Sequence, residues 1–156
     1  MLFLWQIQLT DWLSFKGVIK HMLAVPAGHT LTKLKKVRLK DLVDMPFILF
    51  PRRAIPNVYD RLMAACARGG LKAPRVVQET AVETMILSLV QCHVGVAFVS
   101  STSRWRCPPD VVVLPIVDLN LTLPFALMWR KDNRSPSLAK FTAYVQSMVE
   151  AKKSKE

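Results

Sequence analysis

Arg52 and Arg53 stand side by side in a short loop between the apolar run Pro46-Phe-Ile-Leu-Phe50 and a helical pattern beginning at Asn57. Guanidinium forks beside the free amides of a helix start make a carboxylate site, because both supply N–H donors and positive charge. Phe50 and Ile55 would give it an apolar wall, and Pro56 and Asn57 a rim. Two more turns of the same kind follow, one carrying Gln78, Glu79 and Thr80, the other Val99, Ser100 and Ser101. Strands alternating with helices form a parallel sheet, whose ligands sit at the carboxyl ends of the strands. The expected ligand-binding set is therefore Phe50, Arg52, Arg53, Ile55, Pro56, Asn57, Gln78, Glu79, Val99 and Ser100. Each arginine has a competing role, solvated or paired with an acid, and Glu79 would repel an anion unless an arginine neutralised it.

Residues for catalysis do not assemble in the same way. His21, His29 and His93 have no evident acid–base partner. Ser100 to Ser103 lacks the Gly-x-Ser-x-Gly setting of a hydrolase nucleophile, and Ala67-Arg-Gly-Gly70 reads as a helix end, not a phosphate loop. Cys66, Cys92 and Cys107 contain no Cys-x-x-Cys pair, and with His93 they match no common zinc spacing. The chain is expected to be a binding module with no catalytic residue, no metal and no cofactor.

The 156 residues are enough to bury a core, and 51% hydrophobic with 21% charged residues is globular and slightly apolar. Net charge is +11, from 22 basic against 11 acidic residues. Lys33, Lys35, Lys36, Arg38 and Lys40 are crowded together, and Lys152, Lys153 and Lys155 close the chain. The first run has no aromatic residue for base stacking, so it reads as a solvated face, and no direct DNA binding is expected. An odd cysteine count without a secretory signal points to the cytoplasm. The opening residues 1–9 are apolar but too short to span a bilayer. Phe3, Trp5, Ile7 and Leu9 alternate as a strand with one apolar face.

The elements that must hold the loops follow from periodicity. Strands are predicted at 22–25, 46–50, 75–78, 95–99, 111–114 and 121–130, the last with Pro124 marking an edge or bulge. A one-turn helix is predicted over 37–42, helices over 57–68 and up to about 92, a short helix around 102–105, and a final one from Ser135-Pro136. Gly69-Gly70 should cap the first long helix with positive φ, and Thr80 with Glu83 should form a capping box on the second.

Six stretches stand in order along the chain: Leu23-Ala-Val-Pro-Ala-Gly-His-Thr-Leu31, Leu39-Lys-Asp-Leu42, Pro46-Phe-Ile-Leu-Phe-Pro-Arg52, Gly70-Leu-Lys-Ala-Pro-Arg-Val-Val-Gln-Glu79, Leu89-Val-Gln-Cys-His-Val-Gly-Val-Ala-Phe-Val99 and Trp129-Arg-Lys-Asp-Asn-Arg-Ser-Pro136. Together they resemble the effector-binding domain of LysR-type transcriptional regulators. The resemblance implies an α/β fold with a three-layer, mostly parallel sheet: a periplasmic-binding-protein-like second lobe plus a partial first lobe. Residues 22–117 would be the effector-binding lobe two, 118–151 the returning strand and helix of lobe one, 1–21 an unmatched apolar cover and 152–156 a basic tail. Relative to the family, the chain would be truncated, without the helix-turn-helix and the opening half of lobe one. His93 stands where the family commonly has Gly, and Ser100 where it commonly has Pro. A small organic acid is the implied effector, in a chain that forms a homodimer or higher homo-oligomer and contacts no membrane. The alternative is an interaction module that pairs with full-length regulators and binds neither ligand nor DNA itself.

Overall fold

The computed structural model describes residues 18–124, 129–130 and 132–153. The strand expected over 3–9 lies outside them, as does part of the strand expected over 121–130. The chain divides into two units, Ile19–Leu123 and a second formed by Met1–Val18 with Pro124–Glu156.

The first unit is built on a sheet ordered β3-β2-β4-β1-β5, with β6 also paired to β1. Its strands are β1 (Val18–Pro26), β2 (Pro46–Leu49), β3 (Arg75–Glu79), β4 (Val96–Ser100), β5 (Val111–Pro115) and β6 (Thr122–Pro124). β2 is parallel to both β3 and β4, while β1 is antiparallel to β4 and to β5. Along the main path β2, β3, β4 and β5 therefore share one direction and β1 alone runs against it.

Alternation of side chains sorts the strand residues onto two faces. Leu23, Val25, Phe47, Leu49, Val96 and Phe98 join Leu62, Ala65 and Cys66 of α1 (Pro56–Arg68) in one core. Ala24, Ile48, Ala97 and Val99 join Ile86, Leu87 and Val90 of α2 (Glu83–Gln91) in the other. Helix, sheet and helix make the three layers expected. The ring of Phe47 stacks on Phe98 at 5.0 Å, at the centre of the α1 side.

Both long helices of this unit end in the same hydrogen-bonded device. After α1, Leu71 N–H donates to the Cys66 carbonyl at 2.9 Å and Gly70 N–H to Ala67 at 3.2 Å, the paired bonds of a Schellman turn. Only Gly70 takes positive φ, at 96°; Gly69 has φ −85°, so the expectation of a left-handed pair holds for one glycine. After α2, Val94 donates to Leu89 at 3.1 Å and His93 to Val90 at 2.9 Å, with His93 itself at φ 61°. His93 thus adopts the left-handed turn that glycine would accept at lower cost.

Other expectations need correction. The Thr80–Glu83 capping box does not form. Val82 is the N-cap of α2, and Thr80 is held by the sheet, its N–H donating to the Leu49 carbonyl at 3.0 Å. Glu83 accepts a hydrogen bond from the buried Ser103 hydroxyl instead. The one-turn helix expected over 37–42 is a 3-10 turn at Leu39–Leu42, because Val37 is drawn into a bridge with Ile116. A further 3-10 turn, Thr30–Lys33, has His29 as its cap, with Nδ1 accepting from Leu31 N–H at 3.2 Å. The expected strand at 22–25 is longer, since β1 starts at Val18.

In the second unit α3 (Pro136–Lys153) starts at the proline the sequence marks. Phe141, Tyr144 and Met148 on this helix are each more than half exposed. No described helix is long and apolar enough to cross a membrane.

Candidate functional site

Because β2, β3 and β4 are parallel neighbours, Phe50, Glu79 and Ser100 must emerge at one edge of the sheet. Antiparallel β1 enters at that edge, with His21 opposite Ser100 and Met22 opposite both Val99 and Pro115. The three turns singled out from the sequence are thus brought together at the strand ends.

The side chains there differ in what they offer. Phe50 is half-buried and meets the Tyr59 ring edge-on at 5.9 Å, so it forms a wall braced by α1. Ile55 is the N-cap of α1 with its side chain about half exposed, and it makes no side-chain cap bond. Pro56 follows as the first helical residue and has no N–H, leaving the amides of Asn57 and Val58 as donors of the first turn. Arg53 is exposed, as are Asn57, Gln78 and Glu79. The Gln78 amide makes a 3.4 Å contact with the Glu79 carbonyl.

Arg52 is committed within the chain. Its guanidinium donates through Nε and Nη2 to the two carboxylate oxygens of Asp60, at 2.7 and 2.8 Å. This fork raises the arginine above its ordinary value and holds Asp60 below the usual carboxylate range, in both cases through the hydrogen bonds first. The pair is exposed on both sides and open to exchange. Val99 departs from expectation. It is 4% exposed and packs with Ala24, Ile86 and Val90, because alternation turns it to the α2 face. Only its backbone reaches the edge. Ser100 turns to the other face and caps the 3-10 turn Ser101–Arg106, accepting from Thr102 N–H at 3.1 Å.

The ligand-binding set expected from the sequence omits His21, which enters there only as an acid–base group without an evident partner. Directly opposite Ser100 in an antiparallel pair, it shares that residue's face. Its Nδ1 is buried and has no hydrogen-bond partner among the described residues. Burial pushes its pKa below the usual 6.5, the Leu121 carbonyl acting on the ring N–H opposes this, and the Arg61 charge adds to the lowering. Arg61 itself donates to the Thr122 carbonyl at 3.0 Å. The only signal in the sequence was a polar residue at the end of an apolar strand, which rarely suffices.

The sign of the pH effect follows. Since the folded state disfavours the protonated ring, the unfolded chain binds the extra proton as pH falls below about 6.5, and stability is lost there. Thermal unfolding at pH 7.5 and 5.5 is expected to show a loss of stability at the lower pH that is smaller in His21→Leu. Equal losses in the two proteins would remove His21 as the cause.

Two of the three thiols are held protonated by burial. Burial pushes Cys66 up to about 12 and also raises Cys107. Among the described residues no cluster of His, Cys, Asp or Glu could hold a metal ion.

Residues 18–150 match the LysR substrate binding domain family. The HTH-type transcriptional regulator AlsR of Bacillus subtilis is 30% identical over 120 residues, which is 77% of this chain and 39% of AlsR. BudR of Raoultella terrigena is 28% identical over 120 residues, 77% of this chain and 41% of BudR. The chain spans about two fifths of the length of these curated relatives. Among solved structures, the effector binding domain of QuiR in complex with shikimate superposes with a TM-score of 0.69 at 19% identity, covering 90% of this chain and 66% of that one. The BenM effector binding domain with its effector benzoate gives 0.71 at 22% identity, covering 87% and 62%. These two likenesses concern the fold. The edge-loop architecture and the family match together place this chain in the LysR substrate-binding domain family, the ligand-binding part of transcriptional regulators and not an enzyme.

Proposed function

We propose that the chain binds a small organic acid at the carboxyl-end edge of its parallel strands, in the cytoplasm, as the effector-binding part of a LysR-type regulator. The observation that carries this reading is the convergence of the Phe50–Asn57, Gln78–Thr80 and Val99–Ser101 turns on one edge, where α1 starts without a side-chain cap. Arg53 is the exposed cation of that edge, and Arg52 can exchange its exposed Asp60 partner for a ligand carboxylate. Phe50 gives the apolar wall, and Ser100 with the amides of Asn57 and Val58 gives neutral donors. The ligands named for QuiR and BenM, shikimate and benzoate, are both carboxylates, which agrees with this chemistry. In this reading residues 22–117 act as lobe two and 118–151 as the returning part of lobe one.

Thermal unfolding with benzoate and with shikimate tests the proposal. A ligand at about 100 times its dissociation constant should stabilise the fold by about 2.7 kcal/mol. The double variant R52A/R53A should lose that gain, while D60N, which frees the Arg52 fork, should keep it. If neither acid shifts the midpoint, or if the double variant responds like wild type, the site is not a carboxylate site.

Self-association is part of the proposal. β3 lies at the end of the sheet path with Val76 and Val77 each about 40% exposed, and α3 presents Phe141, Tyr144 and Met148. Edges and apolar faces of this kind are normally covered. Light scattering is expected to give twice the monomer mass or more; a monomer across the micromolar range would reject it.

A further inference from the structure

At the other edge of the same sheet the fold assembles a surface that no single stretch of sequence announces. Parallel topology carries α1 back from the ligand edge, so its Schellman turn lies where β2 and β3 begin. There the turn meets residues 38–42. Leu39 is fully buried, and its Cδ1 would stand 2.2 Å from a Cβ added to Gly69; Lys40 Cβ would be 4.0 Å from one added to Gly70. This contact sets Lys40 beside the chain segment that holds Arg68 and Lys72. Lys36 and Arg38 precede Lys40, alternating with the fully buried Val37 and Leu39, so all three turn outward. Lys36 and Arg38 flank the bridged Val37, and outward residues two apart in extended chain stand about 7 Å from each other, while Lys40 follows inside the 3-10 turn. That step is comparable to the one between successive phosphates of a nucleic-acid strand.

Nearby acids offset part of this charge but pair with none of the five cations. Asp41 accepts from the Arg38 backbone N–H at 2.9 Å and Asp118 from the Leu39 N–H at 3.0 Å, so their hydrogen bonds go to the main chain. Asp44 is exposed on the loop to β2. Among the described residues the ion pairs are Arg52–Asp60 and Arg130–Asp132, and none of Lys36, Arg38, Lys40, Arg68 or Lys72 belongs to one. All five are exposed.

We propose that this surface, Lys36, Arg38 and Lys40 joined by Arg68 and Lys72, is a docking site for the phosphate backbone of duplex DNA, at the sheet edge opposite the carboxylate site. The sequence-based expectation of no DNA contact rested on the run 33–40 alone; the fold adds the two cations from α1 and its exit loop. No aromatic residue lies in either segment, so bases are not stacked on and the contact is sequence-independent. Such binding concentrates a regulator on DNA without choosing the site. It does not depend on the carboxylate reading, since it uses none of those residues.

Fluorescence anisotropy of an arbitrary duplex tests this directly. With four phosphates neutralised, the log–log salt slope should be about −3.6, so affinity should fall about a hundredfold between roughly 50 and 200 mM salt. K40E/R68E/K72E should weaken binding at low salt at least tenfold. R104E/R134E/K140E, which changes net charge equally at exposed positions elsewhere, should weaken it less than threefold. Far-UV circular dichroism checks folding, and K36Q/R38Q serves as a milder variant with an expected loss of threefold or more. Equal losses in the two triple variants would reduce the effect to net charge and overturn the proposal. No binding at low salt would overturn it as well. Tighter binding to phosphatidylserine vesicles than to DNA, lost in K40E/R68E/K72E, would assign the surface to membranes instead.

Discussion

Replacing Gly95 with alanine is expected to destabilise the sheet by about 3 kcal/mol, near the upper end for overpacked sites. Gly95 is buried immediately before β4, alongside Pro46 at the start of β2. A Cβ there would stand 2.5 Å from the Pro46 carbonyl oxygen and 3.1 Å from its carbon. Both are backbone atoms, so no side-chain rotation relieves the clash. β2 and β4 must separate where Phe47 pairs with Val96 and Ile48 with Ala97. Those pairs fix the relative height of the turns carrying Phe50 and Ser100, so ligand binding should fall along with stability. Urea unfolding gives the size directly. Gly28→Ala is the control, because nothing lies within 4 Å of its added Cβ. Similar midpoints for the two variants would contradict the close approach.

Phe47→Ala is expected to cost about 3–5 kcal/mol, the range for removing a fully buried aromatic ring. Its ring has no solvent exposure and shares the α1-side core with Leu62, Cys66 and Phe98. With a typical domain held by only about 5–15 kcal/mol, a large part of the stability would go. Truncating the 88% exposed Trp105 should change the midpoint by less than about 0.5 kcal/mol. A Phe47→Ala effect as small as that of Trp105→Ala would mean the core closes over the lost ring or was not packed around it.

The order of strands and helices was legible because each element carries its own periodicity and stop signal: Pro56, Gly70, Pro136. The parallel turns at one edge followed from that order. What escaped was set by contacts distant in sequence. Thr80 and Glu83 have the spacing of a capping box, but the Leu49 carbonyl claims the Thr80 amide and Ser103 claims the Glu83 carboxylate. Arg52 finds its acid eight residues on, across a loop whose path no local pattern specifies. Val99 stands at a strand end, where an edge residue is expected, yet strand alternation turns it into the core. His21 became part of the edge only once β1 was known to run antiparallel to β4. The resemblance to LysR effector domains implied a mostly parallel sheet but not which strand runs against the rest, since neither strand direction nor neighbour order is written in any short window.

β1 is the one strand that joins β5 and β6 to the remainder of the sheet. It leaves the ribosome first among the six and finds its partners last, as the register of Met22 with Val99 and with Pro115 requires. The nascent chain must therefore keep an apolar ribbon unpaired through synthesis of the following seventy-odd residues, and such distant pairing is slow. Closure of that long loop is then expected to weigh more on the folding rate than growth of the helices.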